Sequence, residues 1–368
     1  MIAGDYMETP LGYGSEFNFE KVRQGGKAIV PHALPGRFPH PVLAALLTNS
    51  SEDHPTFTRL ENLFIRVIGN LIATHSIPTD QRTLVLISST KGNIALLNNP
   101  AFEGKFQTDR AYLPALCNEI RTHFGFHNPV IALSNACISG ALGLSIARNL
   151  LLANQYEHAL VIGGDEVSWF VQAGFESFQA VSEHPCKPFD LNRNGISLGE
   201  AGVGIYLKKS DQPNGVFLTG AGSANDANHI SGPSRTGEGL FRSIKTALKE
   251  AQLETVDYVS AHGTATRYND DMESIAMQRA GLSQVPVNSF KGIFGHTLGA
   301  SGLLESVLGI HCLLNDTLLP SVGFEKQGTT EPLNVIEKTE TRPLHSFIKL
   351  ASGFGGCNQA LVFEKTKG

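Results

Sequence analysis

The sequence predicts an α/β protein whose sheets are largely buried. Three observations carry this: short β-branched runs alternate with apolar patterns of helical period, only 17% of the 368 residues are charged against 41% hydrophobic, and 38 glycines supply many tight turns. Runs bounded by Gly, Asn or Pro read as strands at Thr83–Ser88, Val130–Ser134, Ala159–Gly163, Val203–Leu207 and Val216–Thr219. Further runs follow at Tyr258–Ser260, Val285–Asn288, Phe347–Ala351 and Ala360–Phe363. Between them, apolar residues recur at helical spacing in Phe57–Ile77, Ile138–Leu152, Leu240–Leu253, Asp271–Ala280 and Leu303–Leu314.

The polar stretch Lys208–Gly215 is the clearest internal break, so residues 1–210 and 211–368 are expected to form two halves, each with its own strand–helix series. The net charge of −5 excludes nucleic-acid binding through bulk positive charge. No apolar run reaches the roughly 18 residues that span a bilayer. The opening segment carries Asp5 and Glu8 where a secretory signal is basic and then apolar, so a cytoplasmic protein is expected. Five scattered cysteines without a CxxC pair argue against a disulfide framework or a zinc cluster and leave reduced thiols, one of them a candidate nucleophile.

Four segments could carry chemistry. In Ile131–Gly140 a strand ends and a small-residue helix begins at Cys137, where unpaired N–H groups and the helix dipole are expected to lower the thiol pKa and bind an oxyanion. A buried thiol in a tight turn would give the same pattern. His262 follows the Tyr258–Ser260 strand in A-H-G-T-A-T; Asp270 and Glu273 after it most simply favour the N-terminus of the next helix. In Asn288–Gly302, Lys291 precedes His296, and Gly295 and Gly299 flank that histidine; close helix packing explains such glycines as well as ligand approach does. Finally, the turn Ala351–Asn358 places glycines on both sides of Phe354, which lets its N–H turn inward as an oxyanion donor.

Taken together and in this order, these segments resemble a β-ketoacyl-acyl carrier protein synthase of the elongating, Cys-His-His branch of the thiolase-like superfamily. The stretches Pro188-Phe-Asp-Leu-Asn-Arg-Asn-Gly195 and Gly199-Glu200-Ala-Gly202 match the family as well. The resemblance implies a thiolase-like fold of two similar halves with a layered α-β-α-β-α core. It also implies that Cys137 accepts the acyl group, that His262 and His296 condense, that Lys291 is the supporting cation, and that Glu305, nine residues after His296, is the family's acidic residue near the site. Thr264 and Thr266 match positions that hold the phosphopantetheine arm, and Cys137 and Phe354 supply the oxyanion hole. Two departures stand out. Ile138 follows the nucleophile where the family mostly has a small or hydroxylated side chain. Ser352, before Gly353, replaces a bulky gate residue, which implies a changed gating loop. The N-terminal half is also shorter than usual for this branch.

The chemistry suits these residue types. Cysteine is a soft nucleophile and a competent leaving group, so an acyl chain can be held as a thioester without losing its activation. Malonyl thioester generates its own carbon nucleophile by losing carbon dioxide, and two neutral imidazoles can donate to the resulting enolate. Like-charge repulsion from Lys291 is expected to keep both rings neutral. The resemblance implies an acyl carrier protein as partner and a homodimer, or a heterodimer with a related chain-length subunit. No nucleic acid, membrane, metal or tightly bound cofactor is expected, because phosphopantetheine arrives on the substrate. Fatty-acid and type II polyketide or polyene synthesis both fit. Two alternatives stay open: a thiolase-type acyltransferase using Cys357 as a second thiol, and a non-catalytic chain-length partner. Lys187, Arg193 and Arg267 lie beside the motifs and read as solvated surface charges.

Overall fold

Glycine and alanine, which periodicity alone discounts, help extend four of the nine predicted strands, because a sheet buried on both faces needs small residues where helices press on it. The computed structural model describes residues 1–48, 50, 51, 53–97, 105–210, 212, 214–229 and 232–366; positions 211 and 213 of the Lys208–Gly215 break lie outside the described residues. Thr83–Ser88 and Tyr258–Ser260 are strands over the predicted spans, whereas others grow to His158–Asp165, Ala201–Lys208, Gly215–Asn225, Ser346–Gly353 and Cys357–Thr366. Two shrink: the strand from Val130 ends at Leu133, without Ser134, and the one predicted from Val285 loses its start. The Val285 N–H closes a turn on Leu282 O at 3.0 Å, so that strand begins at Val287.

A six-stranded sheet runs in the order Gly12–Tyr13, Ile2–Thr9, Ala201–Lys208, His158–Asp165, Thr83–Ser88, Val130–Leu133. A five-stranded sheet runs Gly215–Asn225, Cys357–Thr366, Ser346–Gly353, Tyr258–Ser260, Val287–Asn288. Helices Ser139–Leu152 and Ser301–Leu314 pack on each other between the two sheets. Arg59–His75 and Leu113–Phe124 cover the outer face of the first sheet, and Glu238–Glu250 and Arg267–Ala280 that of the second. This is the layered α-β-α-β-α order that the motifs implied.

The two central helices approach closely because their contact is made of glycine. A Cβ on Gly140 would stand 2.8 Å from Gly299 O, and one on Gly302 would stand 2.6 Å from Ala141 N. The small-residue pattern around His296 is therefore helix packing, and it brings the segments bearing Cys137 and His296 together. The outer helix starts two residues later than its periodicity suggests. Thr58 caps it in a reciprocal box with Glu61: Glu61 N–H donates to Thr58 Oγ1 at 3.1 Å and Thr58 N–H donates to Glu61 Oε2 at 2.8 Å.

The glycine-glutamate motif is an internal clamp. Gly199 lies so close to the 294–295 segment that a Cβ would meet Phe294 O at 1.9 Å. Glu200 is wholly buried, pairs with Arg37, and accepts from Arg59 at 2.8 Å and from the N–H of Leu47 and Val167 at 2.9 Å each. The two arginines offset its burial and hold its carboxyl down at about 2. Among the described residues, no helix is long and apolar enough to cross a membrane.

Candidate active site

Cys137 sits in a strained turn between the Val130–Leu133 strand and the helix that starts at Ser139. Ala136 adopts φ +45°, and Ser139 Oγ fixes the turn, accepting from Asn135 N–H at 2.8 Å and donating to Ala136 O at 2.7 Å. The cysteine thus precedes the first helical residue by two positions, not by none. It is also only 7% exposed. This corrects the expected activation: burial pushes the thiol up to about 12, and the nearby Lys291 ammonium pulls it down without prevailing. The resting cysteine is a thiol.

His262 leaves its strand on a backbone held by buried carboxylates. Glu273 accepts the N–H of His262 at 2.7 Å and of Gly263 at 2.6 Å, while Asp270 accepts Thr264 N–H at 3.0 Å and Phe189 N–H at 2.8 Å. Both carboxylates are fully buried; Asp270 stands in the first turn of the helix that starts at Arg267, as expected, whereas Glu273 lies one turn further on. They clamp the H-G-T loop and tie it to the P-F-D segment. Burial raises Asp270 to about 6; burial and then the neighbouring Asp270 raise Glu273 to about 7.

His296 is held by its own backbone: its N–H donates to Ser197 O at 2.7 Å, and its O accepts Gly199 N–H at 3.1 Å. The rings of His262 and His296 meet edge to face with centroids 5.3 Å apart. One ring nitrogen of each and Cys137 Sγ all lie within 4.8 Å of one another. Leu298 N–H donates to His296 Nδ1 at 3.3 Å, and Ser301 Oγ lies 2.9 Å from the same atom. Lys291 Nζ lies 3.4 Å from His262 Nδ1. An ammonium and a peptide N–H can only donate, so in both neutral rings Nδ1 accepts and Nε2 carries the proton. Burial first and Lys291 second hold both imidazoles well below the ordinary histidine range. The rings are neutral N–H donors, with desolvation ahead of the like-charge repulsion expected from the sequence. Such donors do not suit a cation, although the Cys-His-His spacing alone would fit one.

Lys291, 1% exposed, donates to His262 O at 2.6 Å and to Glu305 Oε1 at 2.5 Å. The carboxylate of Glu305 also meets Lys349 Nζ at 2.6 Å from its second oxygen. Lys349 was not singled out from the sequence; a lysine within the apolar run Phe347–Ala351 was the available signal. Asp165 was missed too, and it accepts Gly299 N–H at 2.7 Å beside the His296 turn.

A cavity of about 660 Å³ opens over Cys137, His262 and His296, with Thr264, Thr266 and Phe354 in its wall. The two threonine hydroxyls lie 2.8 Å apart. Gly353 abuts Cys137: a Cβ there would stand 3.3 Å from Cys137 N and 3.2 Å from Cys357 Sγ. Among the described residues, no hydrogen bond engages the N–H of Cys137 or Phe354. The Phe354 ring lies 5.8 Å from both Phe175 and Phe178. Ser352 is buried and donates to Asn358 Oδ1 at 2.8 Å, so it anchors the turn, and Phe354 is the turn's aromatic at the cavity. Cys357 donates to Phe354 O at 3.3 Å and is not among the cavity-lining residues. Arg193 is buried against Asp271 at 2.8 Å, so it is not the solvated surface charge expected; Lys187 pairs with Glu325 at 3.0 Å on the surface, and the exposed Arg267 lines the cavity.

Comparison with known proteins agrees with this geometry. The N-terminal domain of the beta-ketoacyl synthase family matches residues 68–212, and its C-terminal domain matches residues 216–325, together more than half of the chain. The chain belongs to the β-ketoacyl synthase family. A Streptomyces halstedii chain named for polyketide β-ketoacyl synthesis is 31% identical over 273 residues, covering 69% of this chain and 65% of that one. The 3-oxoacyl-[acyl-carrier-protein] synthase 2 of Synechocystis is 32% identical over 265 residues, 66% of this chain and 63% of its own. The match thus spans a little under two thirds of these relatives. A ketosynthase solved with its chain length factor from Xenorhabdus doucetiae superposes with TM-score 0.87 at 22% identity, covering 99% of this chain and 97% of that one. This member of the family therefore has the thiolase-like fold that its motifs implied.

Proposed function

We propose that this protein is a β-ketoacyl-acyl carrier protein synthase that joins an acyl chain held on Cys137 to malonyl carrier protein by decarboxylative Claisen condensation. The single observation that supports it best is the meeting of one thiol and two neutral imidazole N–H donors within 4.8 Å at a cavity walled by Thr264 and Thr266. In the first half-reaction, Cys137 Sγ attacks the carrier thioester and its oxygen takes the free N–H groups of Cys137 and Phe354. The carrier sulfur leaves and takes up the thiol proton, so one thioester replaces another.

In the second half-reaction, malonyl thioester enters with its arm against Thr264 and Thr266. Its carbonyl oxygen accepts the two Nε2–H bonds, and cleavage of the carboxylate C–C bond releases carbon dioxide and leaves the enolate. That carbon attacks the acyl carbonyl, the Cys137 C–S bond breaks, and the thiolate regains a proton from water. Each preorganised donor of this kind contributes roughly 2.7–4 kcal/mol. Lys291 and Glu305 support the donors, and no resident metal or cofactor takes part.

The same reading takes residues 1–210 and 211–368 as two halves that each bring one side of the site. Its partners are an acyl carrier protein and a second ketosynthase-like chain, identical or a chain-length sister, in fatty-acid or type II polyketide or polyene synthesis. Thiolase action finds less support, because Cys357 stands behind the Phe354 turn and off the cavity wall. Intact-mass analysis after mixing with acyl carrier thioesters of graded length, followed by malonyl carrier protein, tests this. The expected result is an acyl adduct on Cys137 that is discharged as a β-ketoacyl product; absence of the adduct with every chain length overturns it.

A further inference from the structure

We propose that Lys349 is a positioning residue for the condensation: its ammonium gives a buried Lys291–Glu305–Lys349 cluster its surplus positive charge, and that charge holds His262 and His296 uncharged as N–H donors. The inference rests on the condensing roles proposed above. Lys349 is 0% exposed in the middle of the Ser346–Gly353 strand, between Ile348 and Leu350, which are also 0% exposed. Burying an ammonium is strongly unfavourable, and a strand needing only packing gains nothing from it. Its Nζ reaches Glu305 Oε2 at 2.6 Å and donates to Ser260 O at 3.2 Å and Ala261 O at 3.0 Å, the two carbonyls just before His262.

Lys291 meets the other oxygen of the same carboxylate at 2.5 Å and His262 O at 2.6 Å. Two ammonium groups share one carboxylate, so the cluster carries a net +1. Without Lys349, Lys291 and Glu305 would cancel. The other ionisable groups facing the rings from packed elements are Glu273 and Asp270 on the Arg267–Ala280 helix, Asp165 at the end of its strand, and Cys137. Where ionised, those carboxylates favour protonation of the rings, and the surplus cation opposes it. Lys349 acts on both imidazoles in that sense, after burial and Lys291 and, for His262, after His296. A positive cluster behind the donors also favours the negative enolate over the neutral thioester.

The test uses the full chain labelled with ¹³C at histidine Cε1, titrated from about pH 8 to about pH 5.5 across the ordinary histidine range. His262→Gln and His296→Gln variants assign the signals. Wild type is expected to keep both rings neutral throughout. In Lys349→Met at least one ring is expected to show a protonated fraction at the acid end of that range, roughly tenfold or more above wild type at the same pH. In Lys349→Met/Glu305→Gln the net charge is again +1, and the wild-type titration returns. A purely structural lysine would not be rescued by removing its partner's charge. Wild-type titration in the single variant, or a persistent shift in the double variant, overturns the proposal.

Should the single variant not fold, alkylation of Cys137 by iodoacetamide reads the same charge. Glu305→Gln, at net +2, should react up to about tenfold faster than wild type at a given pH, and Lys349→Met/Glu305→Gln should match wild type. Equal rates in all three overturn the proposal. Neither readout requires turnover, so a wild-type protein without condensation would sink the proposed function while leaving the Lys349 test intact.

Discussion

The two sides of the site are built by different means. Cys137 is placed by backbone and shape: a positive-φ alanine before it, a serine hydroxyl that closes its turn, and Gly353 against its N–H. The two histidines stand among buried charges: Glu273 and Lys291 hold the His262 backbone, and Lys291, Glu305 and Lys349 form a buried cluster whose ammonium groups disfavour protonation of both rings, although His296 itself is seated by backbone hydrogen bonds. Under the proposed function, the difference follows from the chemistry asked of each side. An acyl acceptor must fit a bulky, uncharged thioester, so its surroundings are steric. Donors to a developing anion must hold one protonation state, so their surroundings are electrostatic.

Perturbations should separate the two sides. The largest expected effect is that of Cys137→Ala, which removes the acceptor and should lower condensation by at least about a thousandfold; a mass adduct persisting on this variant would break the comparison. Gly199→Ala follows, because its Cβ would meet the Phe294 carbonyl at 1.9 Å and displace the segment that carries His296. A loss of about 3 kcal/mol or more in denaturant stability is expected, and wild-type stability would contradict the packing account. Gly353→Ala is milder. Its Cβ would sit 3.2–3.3 Å from Ala136, Cys357 and Cys137 N, so the fold should persist while acylation of Cys137 slows about tenfold. Unchanged acylation rates would remove Gly353 from the thiol's seat.

The smallest effect is a change of slope. Glu273 stands at about 7 against an ordinary 4.5, so folding takes up a proton there and stability falls as pH rises between those values. His262 and His296 act oppositely: below their ordinary 6.5 the unfolded rings bind protons and the folded rings do not, so acidification destabilises. Glu273→Gln deletes the first contribution and keeps the second. Its stability should therefore fall more steeply than wild type on acidification below about 6.5, as denaturant melts across that range would measure. An unchanged slope would show that the carboxylate does not carry the proton assigned to it.

What the sequence made legible follows the same division. Strands buried on both faces, such as Thr83–Ser88, and the helix after Cys137 announce themselves by apolar content and small residues. Ile2–Thr9 was missed because Asp5 and Glu8 interrupt it; only the fold reveals that Asp5 meets His311 at 3.0 Å and Glu8 meets Arg66 at 2.9 Å. The helix Leu113–Phe124 was hidden behind Pro114 at its start, where proline is compatible with a first turn. Cys137, His262, His296 and Lys291 could be read because each sits at a strand or helix end within a motif. Lys349, Glu273 and Arg193 could not, because their partners are 44, 11 and 78 residues away and only tertiary structure pairs them.

The most direct test of the central division of labour is a pulse and chase on His262→Ala and His296→Ala. Each variant is loaded from an acyl carrier thioester and then given malonyl carrier protein, and the mass of the enzyme is followed. If the thiol stores and the imidazoles condense, both variants acquire the acyl mass on Cys137 at near wild-type rates and discharge it at least about a hundredfold more slowly. Discharge at the wild-type rate in both variants would contradict the account.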